Sequence, residues 1–281
     1  MSERVLAPFG RRTCGVVSNL ATGGYRIVSA LDAGGPLPRA GQFYMLATDA
    51  WGGPRGRPYL PRAFSVADAV PEADGVRLDF LLEEVGPGTD RLGELRPGDS
   101  LHLTGPLGRP FSAIAELAPG AAGAVLVGGG VGIAPLVLLR RELADRGMAQ
   151  RVLLGFRNRE HSGGLDLFDC SEVRTAFEDG HAGHRGYVTD LLAVLLAGDD
   201  AGSAAVFACG PPAMLEAVRA LCTERQVAAE LAMETPMACG FGSCFGCAVA
   251  VKAGGYIRLC VDGPVVNAAD VETALVAGSG H

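Results

Sequence analysis

The sequence predicts an all-β antiparallel barrel over residues 1–115, a doubly wound α/β domain over 116–232 and a small cysteine-rich segment over 233–281. Three observations carry this. Short alternating runs broken by turns fill the first part, as antiparallel strands do. After Pro119 apolar strands alternate with helical stretches, the order of a parallel sheet with crossover helices. Near the end, Cys239, Cys244, Cys247 and Cys260 stand at the spacing C-x4-C-x2-C-x12-C. At 281 residues the chain exceeds one comfortable core, so more than one domain is expected.

In the first unit CGVVSNL, YRIVSALD, GQFYMLATD, AFSVADAV, VRLDFLLEEV and DSLHLTGPLG read as six strands. Turn signals separate them at Gly23-Gly24, Gly34-Gly35-Pro36 and Pro97-Gly98-Asp99. One short helix is expected near Asp90 to Leu95, and the stretch from Ala50 to Pro61 reads as an inserted loop. The apolar tract from Ala121 to Leu139 holds a glycine cluster and a proline, so it divides into a strand at Val125–Val127, a turn at Gly128–Gly132 and a helix from Ala134 rather than spanning a membrane. RVLLGFRN is a second strand of the continuous apolar kind that a sheet covered on both faces requires. HRGYVTDLLAVLLAG gives a strand end and a helix with Asp190 near its start, and AAVFACGPPAMLEAVRALCTERQ repeats strand, turn and helix.

A net charge of −7 with no Lys/Arg block argues against a nucleic-acid partner. The first residues, MSERVLAPFGRRTCG, lack the apolar core and cleavage site of a secretory signal, so a cytoplasmic location without a membrane anchor is expected. There, eight cysteines stay reduced or bind metal. Cys14, Cys170 and Cys222 are scattered and read as small core or surface residues. His161, His181 and His184 fall in polar stretches and read as solvated groups. No Ser/His/Asp or paired-carboxylate constellation is evident.

Three cysteines bunched in a glycine-rich loop, with a fourth from a following strand, form the ligand pattern of a plant-type [2Fe-2S] cluster. Gly240, Gly242, Ser243 and Gly246 let the backbone curl so that N–H groups face the sulfurs. Structural zinc or unliganded thiols are the alternatives, but zinc sites usually come as paired knuckles. Gly128, Gly129, Gly130 and Gly132 end a strand and open a helix, which suits an anionic pyrophosphate; a plain tight turn is the competing reading. The loop departs from G-x-G-x-x-G, because Pro135 follows and no acidic residue ends the second strand at the usual distance. Cys209, Gly210 and Pro211 end another strand and face the same crevice by the sheet-edge rule; Cys209 is read as the catalytic-site residue lining a nicotinamide pocket, or else as a small buried residue. In the barrel, Arg62, Ala63, Phe64 and Ser65 offer a guanidinium fork, a ring and a hydroxyl, and Gly86-Pro87-Gly88-Thr89 precedes the short helix.

In this order RAFS, GPGT, GGGVGIAPL, LLGFRN, GYVTDLL, ACGPPAML and MACGFGSCFGC with CVDGPV resemble, over residues 10 to 270, the electron-transfer subunits of NAD-linked dihydroorotate dehydrogenase within the ferredoxin reductase superfamily. The resemblance implies a ferredoxin reductase-like chain in which Arg62, Ala63, Phe64, Ser65, Leu81, Leu82, Glu83, Gly88 and Thr89 bind FAD. It also implies that the glycine loop and Cys209-Gly210 receive NAD(H), and that the four cysteines hold [2Fe-2S]. Ala63 departs from the family, which commonly has proline there; alanine keeps the φ accessible and gives up only preorganisation. The expected function is electron transfer in pyrimidine biosynthesis, between a partner FMN-containing subunit in a heterotetramer and NAD, through the cluster and FAD. Another electron partner, or a non-catalytic iron-sulfur sensor, is the alternative. Arg157 and Arg159 at the second strand's end could meet a 2′-phosphate, so NADP stays open beside NAD.

Overall fold

The computed structural model describes residues 10–51, 59–168, 173–198 and 204–276. Most of the Ala50–Pro61 loop and Cys170 therefore lie outside the described residues. The first unit holds β1 (Arg12–Thr22), β2 (Tyr25–Asp32), β3 (Phe43–Thr48), β4 (Arg62–Ser65), β5 (Asp68–Glu72), β6 (Gly75–Glu83), α1 (Pro87–Gly93) and β7 (Ser100–Leu107). Their order in the sheet is β4-β3-β7-β1-β2-β6-β5, and every pairing is antiparallel.

AFSVADAV, read as one strand, is two. β4 pairs with β3 and β5 with β6, so consecutive strands lie at opposite edges of the sheet. The corner between them closes the barrel: the Val66 N–H donates to the Gln42 carbonyl at 3.3 Å and the Ala67 N–H to the Asp79 carbonyl at 2.8 Å. Val66 and Ala67 are both buried there, so apolar alternation runs through the break and hides it.

A linker carrying α2 (Ile114–Leu117) leads into β8 (Gly123–Gly129), α3 (Ala134–Ala144), β9 (Ala149–Phe156), β10 (Val173–Phe177), β11 (His184–Arg185), α4 (Val188–Leu196), β12 (Ala204–Cys209), α5 (Pro212–Arg225) and β13 (Ala229–Ala232). The last part adds β14 (Ala248–Ala250), β15 (Tyr256–Arg258), α6 (Leu259–Asp262) and β16 (Val265–Asn267). The second sheet runs β11-β10-β9-β8-β12-β13-β16, parallel except for its last pair. β16 thus returns the C-terminal segment to the edge of the α/β sheet.

Side chains of β8, β9 and β12 alternate between two apolar cores, as period two requires. Leu126, Leu154 and Phe207 pack with α3 and the barrel; Val125, Leu153 and Val206 pack with α4, α5 and the cysteine segment. Each fully buried side chain of this size contributes about 1.5–3 kcal/mol, so both flanking units are fused to the sheet by apolar burial. Among the described residues no helix is long and apolar enough to cross a membrane.

Candidate functional site

A crevice of about 540 Å³ lies where barrel, α/β sheet and cysteine segment meet. That is within the usual range for a ligand site. β4 brings Arg62, Ala63, Phe64 and Ser65 to it, and β6 brings Leu81 and Glu83. Leu82 faces the opposite way and is fully buried in the barrel core, because neighbours on a strand point to opposite sides. Its side chain does not line the crevice.

The Arg62 guanidinium donates to the Leu60 carbonyl at 2.7 Å and pairs with no carboxylate among the described residues, leaving its charge for an anion. Gly86, Pro87, Gly88 and Thr89 form the next wall. The Thr89 hydroxyl oxygen accepts from the Val85 and Gly86 N–H groups at 2.8 and 3.1 Å, so it staples the turn instead of pointing a free hydroxyl into the crevice.

From the α/β sheet, Val131, Gly132, Ala134, Pro135 and Cys209 complete the lining. Gly128, Gly129, Gly130, Gly210 and Pro211 do not line it; Gly129, Gly210 and Pro211 help bring the two loops together. A Cβ on Gly132 would stand 2.6 Å from Gly210 Cα, and one on Gly129 would stand 3.0 Å from Pro211 Cδ. Both loops end adjacent parallel strands, with Gly128 opposite Cys209, as the crevice rule for such sheets requires. Burial and then the nearby Glu234 carboxylate push the Cys209 thiol well up, so it is a neutral wall and no thiolate nucleophile.

His161 departs from the solvated reading. Its ring stands edge-on to Tyr25, 6.3 Å between centroids, and Nε2 lies 3.6 Å from Glu83, across the junction of barrel and sheet. Asn158 Oδ1 accepts the His161 backbone N–H at 3.1 Å and also faces Nδ1 at 2.8 Å, which makes Nδ1 the hydrogen-bearing nitrogen. The polar run RNREHSGG gave no periodic signal for this contact. His181 and His184 are exposed as expected, and Cys14 and Cys222 are buried, each thiol pushed up to about 12, chiefly by burial. Arg157 and Arg159 are exposed. A chain of Thr13 Oγ1, His102 Nδ1 (3.0 Å) and Asp49 Oδ1 (2.6 Å from Nε2) joins three neighbouring strand regions outside the crevice; it is a cross-strand contact that sequence spacing does not reveal.

Met233 to Met237 form a further wall, and Cys239 follows after Ala238 alone. The cysteine loop packs on the barrel: Gly240 sits against Met45, two residues along β3 from Phe43, which lines the crevice. Crevice and cysteine loop therefore share one strand, about 7 Å apart along it.

The four sulfurs fall into two pairs. Cys247 and Cys260 Sγ are 3.2 Å apart, and Cys239 hydrogen-bonds to Cys244. Among the described residues no three Cys, His, Asp or Glu side chains converge on one point, as a mononuclear zinc site would need. Two irons that each take two thiolates fit this two-plus-two arrangement. Partial burial works against the Cys239 thiolate, but N–H groups of Phe241, Cys244 and Ser243 and the Cys244 thiol outweigh it and bring it down to about 6. Burial and the adjacent Cys247 hold Cys260 up at about 12, so metal uptake there must release a proton.

This fold and crevice define a ferredoxin reductase-like protein with an added cysteine segment. A structure of an NADH-dependent reduced ferredoxin–NADP oxidoreductase, described in connection with flavin-based electron bifurcation, superposes with a TM-score of 0.74 at 23% identity, covering 97% of this chain and 92% of that one. The Amycolatopsis cytochrome P450 reductase GcoB gives 0.63 at 26% identity over 79% and 68%. Residues 234–272 match the iron-sulfur cluster binding domain of dihydroorotate dehydrogenase B. The electron transfer subunit of dihydroorotate dehydrogenase B (NAD(+)) from Caldanaerobacter subterraneus is 34% identical over 84% of this chain and 88% of its own, and that of Clostridium acetobutylicum is 35% identical over 81% and 83%. The chain belongs to the family of these electron transfer subunits.

Proposed function

We propose that the protein is the oxidoreductase subunit that carries electrons between NAD and a dihydroorotate-oxidising, FMN-containing partner, the two chains joining in a heterotetramer. The observation that carries this reading is the continuity of the site: one connector, Met233–Met237, walls the crevice and runs straight into the cysteine loop. FAD in the crevice and a [2Fe-2S] cluster on the four cysteines supply, when bound, the conversion between paired electrons at NAD and single electrons at the cluster.

The chain's own task is to hold and orient. Arg62 offers its fork to a phosphate, Phe64 and Leu81 give apolar walls, and the meeting of Gly132 with Gly210 fixes where a dinucleotide enters opposite Cys209. No side chain is required as general acid or base, because the hydride and electron chemistry belongs to the cofactors; Cys209 is a buried, neutral wall. Electrons flow from the partner through the cluster and crevice to NAD+.

Purification from the native cell tests the partner. An FMN-containing subunit with NAD-dependent dihydroorotate oxidation is expected; a different partner without that activity would sink the assignment. Cys247→Ser tests the order of carriers: electron exchange with the partner, in either direction, should be lost while NADH still bleaches the flavin. Loss of both at equal protein stability would contradict it.

A further inference from the structure

Between Cys239 and Cys260 the sequence holds only two cations, Lys252 and Arg258. Lys252 sits exposed in the turn of the β14–β15 hairpin, whereas Arg258 is half-buried against the cysteine loop. Its Nη1 donates to the Gly242 carbonyl at 2.9 Å, inside the loop between Cys239 and Cys244. The same guanidinium lies 5.1 Å from the ring centroid of Phe245, inside the loop between Cys244 and Cys247. One side chain therefore ties together both intervals between the first three cysteines.

The backbone around it is built for this contact. Gly242 has a φ of +88°, and a Cβ there would meet Val261 at 2.6 Å and Arg258 Nη1 at 3.2 Å. Phe245 is 64% exposed and has a φ of +58°, a left-handed conformation unfavourable for an aromatic residue. A glycine would hold that turn at lower cost, so the ring is there for what it touches. The Arg258 backbone is fixed beneath it: it pairs with Ala248 in the β14–β15 ladder, and its backbone N–H donates to Asp262 Oδ2 at 3.0 Å. Asp262 Oδ2 is 3.9 Å from Nε, a loose pairing that leaves the fork committed to the loop.

We propose that Arg258 is a positioning residue for electron transfer, which holds the cysteine loop through Gly242 and Phe245 and places a fixed positive charge beside it. This rests on the [2Fe-2S] reading of the four cysteines. A four-thiolate cluster is anionic and each electron adds one further negative charge with no bond made or broken, so a nearby cation favours the reduced form. Arg258 thus raises the reduction potential, and its stacking on Phe245 keeps the guanidinium from swinging into solvent.

The test is a dye-mediated redox titration of the full chain, purified anaerobically with its cofactors and followed by electron paramagnetic resonance. Arg258→Gln keeps a donor for the Gly242 carbonyl and removes the charge; Arg258→Lys keeps the charge and loses the fork. R258Q should titrate at a more negative potential, by on the order of a tenfold fall in the reduced-to-oxidised ratio, about 59 mV for one electron, while R258K stays near the parent value. An unchanged R258Q potential, an equal shift in R258K, or loss of the cluster from both variants overturns the proposal. Absence of the [2Fe-2S] signal from the unsubstituted protein would instead overturn the cluster reading on which it rests.

Discussion

Gly132 and Gly210 touch backbone to backbone, so the distance between the two loops of the α/β sheet is set by a missing methyl group. Gly132→Ala places a Cβ 2.6 Å from Gly210 Cα, with Gly210 N at 2.9 Å; both are backbone atoms and neither can rotate away. Overpacking of this kind typically costs about 1–3 kcal/mol. The variant is expected to raise the KM for NADH by about five- to a hundredfold, in line with that range at 1.4 kcal/mol per decade, while the flavin absorbance of the purified protein is kept. Steady-state kinetics beside a flavin spectrum checks this, and an unchanged KM would show that the loops do not jointly define the dinucleotide site. Sequence made these glycines visible as a cluster. Which of them faces the crevice and which faces the other loop depends on a contact between residues 78 positions apart, and local pattern holds no record of that.

At the scale of elements, α5 anchors the end of the chain. Glu216 on this helix takes hydrogen bonds from Arg219 at 2.5 Å, from the Ala274 N–H at 2.7 Å and from the Thr273 hydroxyl at 2.9 Å. Arg219 first, then the Ala274 and Thr273 donors, hold its carboxyl down at about 2 against an ordinary 4.5. Because the folded value is depressed, the contribution is fully present above about pH 4.5 and is lost as pH falls toward about 2. Glu216→Gln should lower the thermal midpoint at neutral pH and flatten its fall across that acid window. A melting series over pH decides it, and parallel acid limbs for parent and variant would count against the anchor.

The elements themselves were largely legible. The glycine turn, α3 and the helix after Cys209-Gly210 fall where their punctuation places them, since Pro at a helix start and Gly at a strand end act locally. The β4–β5 corner and β16 were not legible as such, because both are defined by which distant edge they pair with. Among the site residues, those adjacent to a local motif were readable and those across the domain junction were not. Arg62 stands in RAFS, whereas His161 reaches Glu83 from a polar loop with no periodicity.

For the molecule as a whole, β13 is where the three units are joined. Its neighbour on one side is β12 and on the other β16, so the α/β sheet and the cysteine segment meet along it. From the same strand Glu230 reaches back to the linker from the barrel, where its carboxylate accepts the Ser112 N–H at 2.8 Å and the Ser112 hydroxyl at 2.5 Å. Glu230 is 7% exposed, and burial first of all raises its carboxyl, with the Ser112 bonds opposing. Glu230→Ala leaves the Ser112 donors facing a buried gap. Stranding a buried partner costs about 1–3 kcal/mol, whereas Glu230→Gln keeps an oxygen acceptor and should cost less. The loss should reach the crevice, because Met233, three residues on, forms part of its wall and its N–H donates to the Pro264 carbonyl at 2.9 Å. In E230A the urea midpoint is expected to fall and FAD to bind more weakly, with the cluster signal retained per folded molecule. Urea unfolding with a flavin-release assay checks both, and a lowered midpoint with unaltered FAD affinity would mean that the junction stabilises the chain without shaping the site.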